Sequence, residues 1–290
     1  MMVGVVVLNY NDAETTIKNV STIKDYDFVD HIVVVDNAST DDSFERLTAL
    51  HSEKIDIIQT KRNGGYGYGN NYGIRFLFEN YEVDYIAITN PDVVYSEKTL
   101  IRCVSFLDDH KQENFAVCAP KMKNLEGKFV KSAWAVPQLK DYFSGKLRLV
   151  GHGDRYRYID IGYETGFSEC GCVAGSMLVV NTEYFLEMGM YDENIFLYCE
   201  ESVIGFKGQS YGFKTALLYD CFFIHAHSVS INKSIKRKYR QNALLWNSRN
   251  YILKTYYKVK GISWIPIKIT QFLSTLEVIA REIKTGVIRK

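Results

Sequence analysis

Three acidic positions stand where this chain could do chemistry. The first is Asp92, delivered by Asn90-Pro91-Asp92 at the end of the apolar run Ile86-Ala87-Ile88-Thr89. Proline cannot continue a central strand and restricts the residue before it, so the chain has to turn there. Open α/β sheets bind ligands just past the carboxyl ends of their strands. A hard carboxylate oxygen at such a point suits Mg2+ or Mn2+, which often take only one or two protein carboxylates. The second is Asp36, which follows the run His31-Ile32-Val33-Val34-Val35 and has Ser39 close behind it for a helix cap. The third is Glu200-Glu201, an acidic pair opening a helix after Phe196-Leu197-Tyr198-Cys199. Held near a hydroxyl, a carboxylate can take its proton. His225 and His227 end another apolar run, and their i, i+2 spacing puts them on one strand face. No Cys or His pair has the spacing of a structural zinc site.

The elements that must position these groups are legible as alternating runs. Val3–Leu8, His31–Val35, Ile55–Ile58 and Ile86–Val94 are short β-branched stretches, the mark of buried parallel strands. Helix-spaced segments separate them: Ala13 to Lys24, a stretch through Phe44 to Leu50, and one beginning near Asn70. This order predicts a doubly wound, mostly parallel α/β sheet. Right-handed crossovers then put Tyr10, Asp36, Asn63 and Asp92 along one sheet edge. Asn63-Gly64-Gly65 reads as a flexible loop whose glycines let backbone approach a ligand. Ser96 to Asp108 is a helix, and Phe115–Cys118 and Ala174–Val180 are strands. Thr215–Leu218 and Cys221–Ile224 are closing strands. Residues 121–168 show no strong period and are expected to form a mobile segment over the site.

Composition bounds the rest. The chain has 290 residues, 47% of them apolar and 24% charged, which is enough for a sizeable core. Net charge is +1, but residues 231–290 hold 14 Lys and Arg against only Glu277 and Glu282. Residues 1–230 carry 21 basic against 32 acidic side chains. Such asymmetry predicts an anionic surface as partner for the tail. Six cysteines without a CxxC pair are expected to be reduced thiols in a cytoplasmic protein. Met1-Met2-Val3-Gly4 leads into a strand without a basic leader, and no run of about 18 apolar residues suggests a spanning helix.

A series of motifs in fixed order resembles one family. Val7-Leu8-Asn9-Tyr10-Asn11 is followed by Val35-Asp36-Asn37-Ala38-Ser39-Thr40-Asp41, then Asn63-Gly64-Gly65-Tyr66-Gly67-Tyr68-Gly69-Asn70, then Asn90-Pro91-Asp92-Val93. Ala174-Gly175-Ser176-Met177, Tyr191-Asp192-Glu193 and Phe196–Glu201 with the His225 segment complete the set. Residues 3 to about 230 thus resemble inverting glycosyltransferase family 2, and within it the rhamnosyltransferase-type branch. The resemblance implies the A-type glycosyltransferase fold and sugar transfer from a nucleoside-diphosphate sugar. It implies Asn9, Tyr10, Asp36, Asn63, Gly64, Asn90, Gly175 and Ser176 around the donor. It implies Asp92 and His225 at a divalent metal, and the base on Glu201 of the Glu200-Glu201 pair. Asn90, Val203 and Lys207 stand where the family usually carries Asp, Asp and Arg.

The tail lies outside the resemblance, so the chain divides into a catalytic domain over 1–230 and a basic helical extension over 231–290. Ser234–Arg240 is cationic, and Trp264, Ile265, Ile267, Ile269, Phe272 and Leu273 surround Lys268. That pattern predicts peripheral docking on the anionic inner membrane face; a dimer contact is the other use of such a helix. The expected acceptor is a saccharide or lipid-linked saccharide in cell-surface polysaccharide synthesis. Nucleic acid is not an expected partner, since the catalytic half is acidic. Two alternatives compete. A sugar-nucleotide-binding protein that has lost catalysis would accommodate the three departures. A nucleotidyltransferase would need a Gly-rich, basic loop after the first strand, where Asn9-Tyr10-Asn11-Asp12 stands.

Overall fold

The computed structural model describes residues 1–144, 166–225 and 237–284. Strands β1 (Val3–Asn9), β2 (His31–Asp36), β3 (Ile55–Gln59) and β4 (Tyr85–Thr89) lie in the order β3-β2-β1-β4, all parallel. Strand side chains alternate between faces, and here both faces are apolar. Val5, Val7, Ile32, Val34 and Ala87 pack against α1 (Ala13–Ile23) and α2 (Ser43–Thr48). Val6, Val33, Val35, Ile86 and Ile88 pack against α3 (Tyr66–Tyr81). The sheet is wound on both sides, as its sequence pattern predicts.

After β4 the chain turns and re-enters the sheet at its far end. A short β5 (Val93–Tyr95) leads into α4 (Glu97–Asp109), capped by Ser96 Oγ, which accepts from the Thr99 N–H at 3.2 Å. Then come β6 (Phe115–Lys123), β7 (Phe129–Val130), β8 (Ala133–Trp134) and a single turn of helix, α5 (Asp141–Ser144). The stretch 121–144 is therefore built of short strands and a turn rather than a mobile segment. The remainder of that expected segment, residues 145–165, lies outside the described residues. Strands β9 (Phe167–Cys170) and β10 (Cys172–Val173) precede β11 (Met177–Asn181), α6 (Thr182–Glu187), α7 (Glu200–Tyr211) and β12 (Lys214–His225).

The sheet continues β4-β11-β6-β12-β5. β11 is antiparallel to both neighbours, β12 runs parallel to β6, and β5 pairs antiparallel with β12. β12 is one strand where two were expected; a register shift between Leu218 and Phe222 absorbs the polar Asp220 at the point where two strands seemed to meet. All six cysteines are buried and none forms a disulfide.

In the extension, α8 (Lys238–Thr255) and α9 (Trp264–Lys284) form an antiparallel pair. The break between them contains Gly261 and ends before Trp264, which leaves Pro266 inside the first turn of α9. Proline in a first turn removes only an N–H that had no helical partner, so α9 runs through it. Trp246, Ile252, Leu253, Val259 and Ile267 share a core with Tyr142, Ile195, Cys199 and Val203. The extension thus packs on the amino-terminal end of α7, where Glu200 and Glu201 sit. Trp246 is fully buried, and its indole N–H donates to Ser274 Oγ at 3.3 Å. Trp246→Ala is expected to lower the unfolding free energy by about 3–5 kcal/mol, read from urea denaturation.

Candidate active site

Asp92 owes its position to two strand pairings. At the end of β4 the Asn90 N–H donates to the Ser176 carbonyl at 2.8 Å, and the Val93 N–H closes the turn on the Asn90 carbonyl at 3.3 Å. β5 then lies against β12 with Val93 opposite His225. That register sets His225 Nε2 3.3 Å from Asp92 Oδ1, with the two side chains 12% and 5% exposed. Asn19 on α1 steadies β5 from beneath, donating to the Val93 carbonyl at 2.8 Å. Adjacent ligands of one Mg2+ or Mn2+ lie roughly 3 Å apart when each is about 2.1 Å from the ion. The Asp92–His225 spacing fits that requirement. Among the described residues there is no cluster of three or more His, Cys, Asp and Glu able to hold a metal. A cation held by this pair would therefore complete its shell with phosphate or water oxygens. His227 lies outside the described residues.

Glu200 and Glu201 begin α7 after two consecutive left-handed residues, Tyr198 at φ 74° and Cys199 at φ 71°. Non-glycine residues resist this conformation, at a cost of order 1–3 kcal/mol each. Glu201 Oε1 accepts from the Gly175 N–H at 3.2 Å, while Glu200 is buried with Oε1 unpartnered. A helix amino terminus favours ionised carboxylates by about 0.3–1 kcal/mol. Burial outweighs that here. It raises the pKa of both, and the Glu201 charge adds to the rise at Glu200, which reaches about 8.

Gly175-Ser176 joins the two acidic arms. Its Gly175 end is bonded to Glu201 and its Ser176 end to Asn90, two residues before Asp92. A Cβ at position 175 would come within 3.0 Å of the Glu201 carboxylate. Ser176 Oγ faces Met122 Sδ at 3.7 Å.

At the other end of the sheet edge, Asp36 is fully buried. Its carboxylate accepts from Asn9 Nδ2 at 2.9 Å, Ser39 Oγ at 2.5 Å, Ser39 N at 3.0 Å and Gln59 Nε2 at 2.9 Å. Such bonds to a charged group contribute about 1.5–3 kcal/mol each, enough to offset the several kcal/mol of burying it. Asp36 thereby locks the ends of β1, β2 and β3 together. It does not cap α2, whose preceding Asp42 makes no side-chain cap bond either. Asn9 is likewise buried, its Oδ1 accepting from Thr16 Oγ1 at 2.9 Å; Tyr10 follows it, half-buried, at the edge.

The Asn63-Gly64-Gly65 stretch is tied down rather than flexible. Asn63 Oδ1 accepts from Asn37 Nδ2 and from the Gly65 N–H, both at 3.1 Å. Gly65 has φ 97°, and a Cβ there would meet the Phe196 carbonyl oxygen at 2.2 Å; at Gly64 it would meet the Tyr68 ring. These glycines admit the chain's own backbone and ring. They also let α3 start at Tyr66, four residues before Asn70. Tyr66 is a residue the sequence reading passed over. Its hydroxyl donates to the Gly175 carbonyl at 2.7 Å, and its ring lies edge-on to Tyr191 at 5.7 Å. Burial and then the Glu200 and Glu201 charges raise its pKa, so it stays a hydrogen-bond donor. Its one signal was its place inside the Gly-Tyr-Gly-Tyr-Gly motif. Lys207 donates to the Gly189 and Met190 carbonyls at 2.9 and 2.8 Å, and Val203 is in the apolar core.

A mostly parallel sheet wound on both faces, with an Asp-His pair and an acidic helix start at its carboxyl edge, defines the A-type glycosyltransferase architecture. The chain belongs to glycosyltransferase family 2: a profile described as "Glycosyl transferase family 2" matches residues 4–174. It is 26% identical over 204 residues to the low-salt glycan biosynthesis hexosyltransferase Agl10 of Haloferax volcanii, an alignment covering 68% of this chain but only 58% of that relative. It is 23% identical over 207 residues to the rhamnosyltransferase WbbL of Escherichia coli K12, covering 69% of this chain and 74% of WbbL. Its fold resembles the crystal structure of GalNAc-T7 with UDP, GalNAc and Mn2+, with a TM-score of 0.58 and 13% identity, over 98% of this chain and 57% of that one.

The raised acid pair makes stability depend on pH. Between about pH 4.5 and about 8 the folded chain keeps a proton on Glu200 that the unfolded chain has released. Stability should therefore fall as pH rises through that window. Glu200→Gln is expected to flatten the fall, measured by urea midpoints at the two ends of the window.

Proposed function

We propose that this protein is an inverting, metal-assisted glycosyltransferase that moves a sugar from a nucleoside-diphosphate sugar, dTDP-rhamnose or a UDP-hexose, to a saccharide or lipid-linked saccharide in cell-surface polysaccharide synthesis. One observation carries the reading: Gly175-Ser176 is hydrogen-bonded to Glu201 on one side and to the Asp92 turn on the other. A donor sugar lying over this step would have its diphosphate at Asp92 and its far face toward Glu201.

In that arrangement Asp92 and His225 would hold a Mg2+ or Mn2+, which supplies charge neutralisation for a diphosphate as it leaves. GalNAc-T7, the fold relative, was crystallised with a nucleoside diphosphate and Mn2+. Glu201 would take the proton of the acceptor hydroxyl during direct displacement, giving inversion. Glu200, buried beside it and holding its proton more tightly, would stay neutral and so spare Glu201 a like-charged neighbour, leaving Glu201 as the carboxyl that ionises. Tyr66 would fix the Gly175 carbonyl and so the floor beneath the sugar. Asn9, Tyr10, Asp36, Asn63 and Gly64 would shape the nucleotide end, with Asp36 acting through Asn9 and Ser39. Residues 1–230 would form the catalytic domain. The enzyme would sit at the cytoplasmic face of the membrane, held peripherally by the extension over 231–290.

Asp92→Ala and Glu201→Gln are each expected to lower transfer at least about a hundredfold. Glu201→Gln should leave the Mn2+-dependent thermal shift with nucleoside diphosphate intact, whereas Asp92→Ala should abolish it. Because the Glu201 carboxyl is raised and must be ionised to act, transfer should increase with pH, with an acid limb above the ordinary carboxylate range. Intact transfer in both variants would refute the assignment. Donor binding without any hydrolysis or transfer, with or without Mn2+, would instead favour the binding protein that has lost catalysis, a reading that Asn90, the core residue Val203 and the carbonyl-bound Lys207 accommodate.

A further inference from the structure

Helix α9 is apolar on the wrong side. Its inward face carries Thr270 and Ser274 beside a single large buried apolar residue, Ile267. Ser274 meets Trp246 and Asn242, and Thr275 accepts from Asn242 at 3.2 Å. The outward face carries Ile265, Ile269, Phe272, Leu276 and Ile283, which are 57%, 55%, 62%, 47% and 51% exposed. Their spacing follows the helical repeat, so they form one stripe. At 1.5 Å per residue the stripe is about 27 Å long. No charged residue falls within it; Lys268 lies to one side, and Arg281, toward the opposite face, is ion-paired with Glu277. Near its start a groove of about 460 Å³ is lined by Trp264, Ile265, Lys268, Ile269, Phe272 and Leu273.

Scattered exposed apolar residues are ordinary, but a contiguous stripe marks an interaction surface. Two occupants fit its shape: a bilayer, and a second copy of the chain. Charge separates them. Residues 231–290 carry 14 basic and two acidic side chains. A two-fold contact would lay the stripe on itself and bring the same cations face to face. An anionic bilayer presents the opposite charge to the exposed Lys254, Lys258, Lys260, Lys268 and Lys284 of this region, and cations near the surface add to the attraction. No described helix is long and apolar enough to cross a membrane, which leaves a helix lying in the surface plane.

We propose that α9 lies flat on an anionic bilayer, with the Ile265–Ile283 stripe sunk to the headgroup boundary and the flanking cations at phosphate level. This gives the membrane placement in the proposed function a particular surface; the transfer chemistry does not depend on it.

The test is flotation of the full chain with phosphatidylcholine vesicles, with and without phosphatidylglycerol, alongside light scattering of the protein alone. The chain should float with the phosphatidylglycerol vesicles, less at high salt. Ile269→Glu combined with Phe272→Glu should reduce bound protein at least about tenfold. Ile283→Glu, at the far end of the stripe, should give a smaller loss in the same direction. Circular dichroism and donor hydrolysis should be unchanged in both variants. Wild-type protein that does not float, or variants that float equally well, would overturn the proposal. A dimer in solution that the double variant dissolves, without vesicle binding, would assign the stripe to a second copy. Floating protein that turns over no donor would count against the proposed function and leave the docking surface standing.

Discussion

The hydrogen bond from the Asn90 N–H to the Ser176 carbonyl is the contact on which the site depends. It continues the antiparallel pairing of β11 with β4 by one more rung, Thr89 being opposite Met177. Through it the end of a parallel strand is held against the start of an antiparallel one. The Asp92 turn and the Gly175-Ser176 step are thereby set at fixed separation. Each remaining group is referred to that step: Glu201 and Tyr66 to Gly175, and His225 to Asp92 through the β5–β12 register. Backbone bonds carry this geometry, so it survives changes in most of the surrounding side chains.

The acidic pair is held against its own preference. Burial raises both carboxyls, and the helix terminus returns only part of that cost. Two left-handed residues precede the pair, and the extension helices pack on Cys199 and Val203 beneath it. Strain of this kind persists only where surrounding structure over-determines it. The helical extension is therefore a support for the acidic arm as well as a surface with an outward apolar stripe.

Much of this was legible in the residues, for identifiable reasons. Val3–Leu8 and Ile32–Val35 had to be buried parallel strands because neither run contains a polar side chain. Asn90-Pro91 had to end its strand. The acidic pair reads as the opening of a helix, although the residues that follow carry no helical period of their own. Other readings failed where the partner was distant in sequence. Asn63-Gly64-Gly65 looks flexible as a tripeptide, and only Phe196 and Tyr68 packed against it reveal why it needs glycine. Asp36 looks like a helix cap, and only Gln59 and Asn9 show that it clamps three strands. Residues 121–144 lack a period because their strands are two residues long, too short for alternation to register.

The residues along the chain therefore dictate local features: which runs become strands, where they break, and which acids stand at the breaks. These follow from propensity, side-chain period and the chemistry of proline, all of which act over a few residues. Tertiary structure alone decided which of those acids meet. Asp92 and His225 are brought together by a strand register, and Glu201 meets Gly175 because the fold sets the start of α7 against the turn before β11. Tyr66 joins them through a carbonyl in the turn before β11, more than a hundred residues away. Pairing between distant strands is chosen by the burial of the whole sheet, and no short window of residues contains that information.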